Sequence, residues 1–256
     1  MTETVLFETV GNIAVITLNR PDRRNAVNAD LADALSTAID RLESDPALDV
    51  GVLAGNGKVF CAGMDLAAFA DGQQDAILNR KGGFGGLTER ARTKPLIAAV
   101  HGAALAGGFD LAIACDLIVA EEGARFGVPE VIRGLIAGAG GALRLAELVP
   151  QARAREILLT GRLFDTAEAW DLGLLSRRCA VGGAREAAMQ LAREIAANAP
   201  LAVRGTLATS KLLRDIPADA VWQENSRLLK VCLDSQDALE GARAFLERRA
   251  PVWTGK

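Results

Sequence analysis

The chain of 256 residues has no tyrosine, a single histidine and only 4% aromatic residues. So few rings give no platform on which nucleobases could stack. A net charge of −3, with arginine scattered and no basic block, gives little electrostatic basis for nucleic-acid binding. One histidine, His101, argues against a histidine metal site, and the four cysteines (Cys61, Cys115, Cys179, Cys232) form no C-x-x-C pair. They read as reduced thiols and not as a disulfide or zinc frame. No apolar run approaches the ~18 residues of a membrane span. The amino terminus, Met-Thr-Glu-Thr, lacks the basic start and apolar core of a signal peptide, so the expected compartment is the cytoplasm. Neither a metal nor a cofactor is expected.

Several catalytic and nucleotide-binding motifs are missing too. Gly55-Asn56-Gly57-Lys58 lacks the leading glycine and the Ser or Thr of a P-loop, with Val52 and Val59 at those places. Gly138-Ala-Gly-Gly141 lacks the full dinucleotide spacing and its acidic ribose partner. No G-x-S-x-G elbow exists, which disfavours nucleophilic serine chemistry; His101, at the end of an apolar strand, takes a structural or loop role. Nothing basic near Cys61 would lower its pKa.

What is present is core material: half of the residues are hydrophobic, enough for one large domain or one domain plus an appendage. Ile13–Leu18, Val50–Leu53, Leu96–Val100 and Leu117–Ala120 are continuous apolar runs, as strands buried on both faces require. Helices alternate with them. Asn28 is placed to cap a helix whose Leu31, Leu35, Ile39 and Leu42 fall on one face, and Gly107–Cys115 forms another. The pattern is that of an α/β fold. The stretch Asp71–Lys94, with Gly82-Gly83-Phe84-Gly85-Gly86, reads as a mobile loop or frayed helix, either a lid or plain surface. From Gln151 onward the pattern is almost wholly helical, over Ala184–Ala197, Leu201–Leu213, Ala218–Leu233 and Ala238–Arg249.

Two glycine-rich segments, Phe60-Cys61-Ala62-Gly63-Met64-Asp65-Leu66 and Ala106-Gly107-Gly108-Phe109-Asp110, each lie where an apolar strand gives way to a helix. Together they can aim two backbone N–H groups at one oxygen, the geometry of an oxyanion hole. Two acids accompany them. Glu130 follows Pro129, which fixes the backbone of the Phe126-Gly127-Val128-Pro129-Glu130 turn; Asp110 falls in the first turn after Gly107-Gly108. Each is equally natural as a partner of a helix N-terminus. Asp65 and Asp116, at element junctions beside small residues, read as turn or cap residues.

FCAGMDL, the Lys94–Gly102 strand, AGGFDLAIACDLIVA, FGVPE, Gly138-Ala-Gly-Gly141 with Arg144-Leu145, Gly161-Arg162 before the Ala167–Leu174 helix, and Phe245–Arg249 occur in order along the chain. In this succession the sequence resembles the crotonase, or enoyl-CoA hydratase/isomerase, superfamily over nearly its whole length. The resemblance implies a spiral of repeated strand-strand-helix turns with a C-terminal helical region. Residues 1–195 would be the α/β core with an acyl-CoA site, and 196–256 a helical trimerisation or cover region. It also implies an acyl-CoA thioester substrate and a homotrimer or dimer of trimers. By position, the Met64 and Gly107 N–H groups would bind the thioester oxygen. Ala26, Ala62, Gly63, Asp65 and Leu66 would hold the coenzyme A moiety, with Gly108 and Pro129 lining the site.

Family hydratases hold a water between two glutamates. Here the second position is Glu130, whereas the first is Asp110, shorter by one methylene or roughly 1.5 Å. A displacement of that size costs ~10²-fold when it misplaces a reacting group. The resemblance therefore leaves three readings: hydration of a trans-2-enoyl-CoA with Glu130 as acid/base and Asp110 as water orienter or base, 3-enoyl to 2-enoyl isomerisation by Glu130 alone, or a non-catalytic acyl-CoA-binding trimer.

Overall fold

The computed structural model describes residues 3–78, 81–215 and 218–256. Val5–Val10 (β1) and Ile13–Leu18 (β2) form an antiparallel hairpin. Ala29–Ser44 (α1) follows, and Asn28 accepts a hydrogen bond from the Leu31 N–H as its sequence position predicts. Leu31, Leu35, Ile39 and Leu42 are all buried on its inner face. Val50–Gly55 (β3) runs parallel to β2. Two short helices come next, Leu66–Ala70 (α2) and Gln74–Leu78 (α3). Leu96–Val100 (β4), Ala103–Leu105 (β5), Gly107–Ala114 (α4), Leu117–Glu121 (β6) and Arg125–Gly127 (β7) then succeed one another.

After a 3₁₀ turn at Pro129–Arg133 come Gly141–Leu148 (α5), Gln151–Thr160 (α6), Phe164–Asp165 (β8), Thr166–Asp171 (α7) and Arg177–Cys179 (β9). Ala184–Ala196 (α8), Pro200–Asp215 (α9), Ala218–Leu233 (α10) and Gln236–Glu247 (α11) complete the chain. Two short strands, β8 and β9, interrupt the carboxy-terminal half that the periodicity assigned to helices. At two and three residues they are too short to show an alternating pattern.

One sheet has the order β1-β2-β3-β4-β6-β9, parallel except for β1; the smaller sheet has the order β5-β7-β8. The long apolar runs follow from the layering. Ile13 and Val15 of β2, Val50 and Val52 of β3, and Ile97 and Ala99 of β4 pack with Ala188, Met189 and Ala192 of α8. The alternate residues Ala14, Ile16, Leu18, Leu53, Ala98 and Val100 face the main core with α1 and α4. Both faces of β2, β3 and β4 are dry, so these strands do not alternate with exposed polar residues. Between the sheets Phe126 of β7 stacks on Phe164 of β8, and Phe109 of α4 meets both edge-on at 6.3 and 5.9 Å. That aromatic cluster fixes α4.

The segment Asp71–Lys94 is not a floppy loop; of it, residues 79 and 80 lie outside the described residues. It contains α3 and a 3₁₀ turn at Phe84–Gly86, and residues 83–88 are buried. Its glycines are there for close approach: Gly85 and Gly86 have φ of +63° and +68°, and Gly86 lies directly on Ser36 and Ala32 of α1. Among the described residues no helix is long and apolar enough to cross a membrane.

Candidate active site

The two glycine-rich segments meet. Cys61 bridges Ala104 in parallel register, with the Cys61 N–H donating to Ala103 O at 3.1 Å and the Leu105 N–H donating to Cys61 O at 3.1 Å. Two residues beyond Cys61, a Cβ on Gly63 would lie 3.1 Å from the Gly107 nitrogen, so only glycine lets the chains run this close. On its other side the segment bridges Val27: the Val27 N–H donates to Gly63 O, and the Asp65 N–H to Val27 O. This register uses the Gly63 carbonyl and the Asp65 N–H on either side of Met64 and turns the Met64 N–H the other way. Gly107, as the first residue of α4, has no intrahelical acceptor for its own N–H. Among the described residues neither the Met64 nor the Gly107 N–H is taken by a protein acceptor.

Ala106 supplies the aim. It holds φ +50°, ψ −127°, a conformation that a Cβ disfavours, and its N–H is locked to Gly127 O at 2.9 Å. Gly107 lies under the ring of Phe84 and Gly108 against the Cys61 carbonyl; a Cβ at either would collide. Gly108 thus packs on the backbone of Cys61. Phe84 carried no sign of this role in the sequence, beyond an aromatic residue set among four glycines.

Asp110, one turn into α4, is 1% exposed, and its Oδ1 has no hydrogen-bond partner. Burial, reinforced by the negative charge of Glu130, pushes its carboxyl up to about 7, against the opposing pull of Arg144 and the Gly141 N–H. Glu130 sits in the first turn of the 3₁₀ segment that begins at Pro129, half-buried, with its Oε2 likewise unpartnered. Burial raises its pKa as well. Two carboxyls, one buried and one half-buried, with orphan oxygens and raised pKa values are a feature of acid/base sites, not of ordinary ion pairs. Gly141 takes on meaning here: a Cβ there would run into Asp110 Oδ1. The glycine run that fails as a dinucleotide motif instead makes room for the acid.

At the mouth, Asp65 caps α2 by accepting from the Ala67 and Ala68 N–H groups, and it also pairs with Arg20 at 3.0 Å. Burial works against this, but Arg20 and the two N–H groups win and hold the carboxyl below its usual range. Arg20 also donates to Ala26 O, and the Ala62 N–H donates to Arg24 O at 3.0 Å. Ala26, Ala62, Gly63, Asp65 and the exposed Leu66 are therefore joined in one hydrogen-bonded stretch, while Pro129 opens the 3₁₀ turn that carries Glu130. Arg20 escaped the sequence reading because nothing local shows a pairing with a residue forty-five positions away.

The remaining candidates are structural. Cys61 is fully buried, donates to Asn25 O, and burial pushes its thiol up to about 12. His101 Nε2 lies 3.1 Å from Gly57 O. Asp116, expected as a turn residue, is a buried ionic hub: it pairs with Arg92 at 2.7 Å and Lys211 at 2.9 Å and accepts the Leu96 N–H. The side chain of Cys232 lies outside the described residues.

Comparison with known proteins places the chain in a family. The family described as Enoyl-CoA hydratase/isomerase matches residues 8–256. Carnitinyl-CoA dehydratase of Salmonella typhi is 39% identical over 262 residues, covering all of both chains. Among solved structures, enoyl-CoA hydratase from Mycobacterium tuberculosis H37Rv superimposes with a TM-score of 0.96 at 48% identity, with full coverage of both chains. Carnitinyl-CoA hydratase from Mycobacterium avium is more distant, with a TM-score of 0.79 at 39% identity and full coverage of both. The ordered motifs, the α/β core and the matches along the whole length agree: this chain belongs to the enoyl-CoA hydratase/isomerase family and has the crotonase fold.

Proposed function

We propose that this protein is a hydro-lyase that adds water to a trans-2-enoyl-CoA and, in reverse, removes it from a 3-hydroxyacyl-CoA. The observation that carries the reading is the pair Asp110 and Glu130, one buried and one half-buried, each with an unpartnered oxygen, together with the Met64 and Gly107 N–H groups that no protein acceptor takes. The thioester oxygen accepts from Met64 and Gly107. Water oxygen bonds to C3 as Asp110 takes one of its protons, and the C2–C3 π electrons move to the thioester oxygen as an enolate. Glu130 then delivers a proton to C2. Return of the proton from Asp110 to Glu130 resets the site, so the net change is one water added.

Both acids titrate closer to neutrality than free carboxyls, where acid/base transfer is most effective. The hole and acid/base pair contribute separately; each is of the kind that supplies about 10²–10⁴-fold. Names among the relatives support the same reaction class: enoyl-CoA hydratases at 47–48% identity in solved structures, and carnitinyl-CoA dehydratases at 38–39%. The 196–256 helices are assigned to trimer formation or cover. Exposed Ile136 (85%) and Leu143 (78%) near the site favour a partner surface in an oligomer.

The test is to mix purified protein with a short trans-2-enoyl-CoA and follow the conjugated thioester absorbance. Hydration removes it. Glu130→Gln should slow this loss by about 10²–10⁴-fold with the fold intact. If the absorbance stays unchanged and a 3-enoyl-CoA instead gains it, the protein is an isomerase and the hydratase reading is wrong. If Glu130→Gln turns over at the wild-type rate, acid/base catalysis by this residue is wrong.

A further inference from the structure

Arg24 and Asn25 hold successive left-handed conformations, φ +53° and +55°, in the turn between β2 and α1. Asn25 is 0% exposed, and both polar atoms of its side chain are engaged. Its Oδ1 accepts the Arg20 N–H at 2.9 Å, while Nδ2 donates to the carbonyls of Asn56 and Val59 at 2.9 Å and of Phe60 at 3.0 Å. The fit is close: a Cβ on Gly55 would lie 2.8 Å from Nδ2 and 2.6 Å from Phe60 O. Few side chains meet these demands. Asparagine tolerates the left-handed region and carries two donor hydrogens and an acceptor. Glycine has the backbone freedom without the donors, and aspartate has the shape but would set a carboxylate against three carbonyls.

The turn grips the first glycine-rich segment along its length. Beyond the bond to Phe60 O, the Cys61 thiol donates to Asn25 O at 3.1 Å and the Ala62 N–H to Arg24 O at 3.0 Å. Val27 then takes over, donating to Gly63 O at 2.8 Å and accepting the Asp65 N–H at 2.9 Å. On the opposite flank the Phe60 N–H donates to His101 O and the Cys61 N–H to Ala103 O, and the Gly63 N–H turns inward to Cys61 Sγ at 3.4 Å. Among the described residues of Phe60–Asp65, Met64 alone has a backbone N–H that no protein atom accepts. We propose that Asn25 is a positioning residue: through its carboxamide and its own carbonyl it splints Phe60–Gly63 so that the Met64 N–H stays aimed at the thioester oxygen. This rests on the reading in which Met64 and Gly107 bind that oxygen. The Gly107 N–H is aimed separately, by Ala106, so Asn25 governs one donor of the two.

The experiment compares wild type with Asn25→Gly, which keeps the backbone freedom and removes the carboxamide, and with Cys61→Ala, which removes the thiol's tie to Asn25 O. With a short trans-2-enoyl-CoA, kcat should fall about tenfold in Asn25→Gly, less than the ~10²–10³ that a lost donor costs, while KM stays within about twofold. A second readout is optical. The probe is a dialkylaminocinnamoyl-CoA, a push–pull thioester whose absorption moves to longer wavelength as donors polarise its carbonyl. Bound to Asn25→Gly it should shift less than when bound to wild type. If Asn25→Gly is weakened in urea yet keeps the wild-type kcat and red shift, Asn25 is structural only and the proposal is overturned. A raised KM with kcat unchanged overturns it too.

A third readout needs neither turnover nor ligand. Amide exchange at Ala62, Gly63 and Asp65 should quicken in Asn25→Gly, while Phe109 and Asp110 of α4 keep their rates. Unchanged exchange at the first three overturns the proposal whatever reaction the protein performs. If wild type shifts the chromophore but hydrates no enoyl-CoA, the hydratase reading fails, and a smaller shift in Asn25→Gly still supports the role of Asn25. If wild type binds the probe without shifting it, the Met64 donor meets no thioester oxygen and the proposal falls with the hole. Should Asn25→Gly not fold, Cys61→Ala decides: a lower kcat with a smaller red shift supports the splint, and wild-type values of both overturn it.

Discussion

Asp110 and Ala106 show how single residues at the site are held against their preferences. The raised Asp110 pKa has a sign that can be worked through. Unfolded, the acid titrates near 4; folded, near 7, so the native state favours the proton. Its stabilising contribution is complete below pH 4 and lost as pH rises to 7. Asp110→Asn, which cannot ionise, should therefore be more stable than wild type at pH 8, by up to about 4 kcal/mol. The gap should close on acidification to pH 4. Urea unfolding at the two pH values measures it, and a pH-independent gap means that Asp110 titrates normally. Ala106 pays for its positive φ in strain. Ala106→Gly should relieve this, raising stability by about 1 kcal/mol after the entropy of the more flexible unfolded chain is subtracted. Turnover should drop about tenfold, because the Gly107 N–H is then less rigidly aimed. Equal or faster turnover would show that the strain has no part in the aim.

Elements divide into those whose pattern is local and those whose reason lies elsewhere in the fold. The periodic face of α1 with its Asn28 cap, the buried runs of β2, β3, β4 and β6, and the start of α4 at Gly107 were all legible in the sequence, because each depends on its own neighbours. So were the two glycine-rich segments, Phe60–Leu66 and Ala106–Asp110, which meet in the fold. The strands β5, β7, β8 and β9 were not, being two or three residues long and defined by partners. The same holds within the site: Glu130 and Asp110 were visible as acids beside glycine and proline turns, whereas Arg20, Phe84 and the fit of Gly141 to Asp110 exist only through long-range contact. The segment Asp71–Lys94 illustrates the cause. Glycine and charge suggest looseness there, but Gly86 lies against the backbone of α1, 3.0 Å from Ser36 Cα to the place of its missing Cβ. Gly86→Ala should therefore be destabilising by about 3 kcal/mol, combining positive φ with overpacking. Hydration should weaken with it as Phe84 shifts from Gly107. A loss below about 0.5 kcal/mol in urea unfolding would show the segment to be the pliable loop its composition suggests.

At the scale of the whole molecule, the link between the core and α9 is ionic. Arg204 meets Asp49 at 3.2 Å, and Asp49 also takes a hydrogen bond from Asn12 at 2.8 Å. Lys211 meets Asp116, whose side chain is 7% exposed and shared with Arg92, itself 4% exposed. These two partners carry different weights. Asp116→Ala strands a buried arginine, at a cost of about 3–5 kcal/mol, and disturbs the start of β4 by removing the acceptor of the Leu96 N–H. Lys211→Met leaves the Arg92 pair intact and should cost about 1 kcal/mol or less. Combining Lys211→Met with Arg204→Met should free α9 without unfolding the sheet, so amide exchange should accelerate over residues 200–211 while β2, β3 and β4 stay protected. The pH dependence has a definite direction. Burial works to raise the Asp116 pKa, but Arg92 and Lys211 outweigh it and hold it below the usual carboxylate value. Its contribution is thus complete above pH 4 and is lost only as pH falls through that lowered value. Protection of α9 should accordingly persist at pH 5 and fail in stronger acid. Loss of protection already at pH 5, with the sheet intact, would mean that the Asp116 hub does not hold the helix.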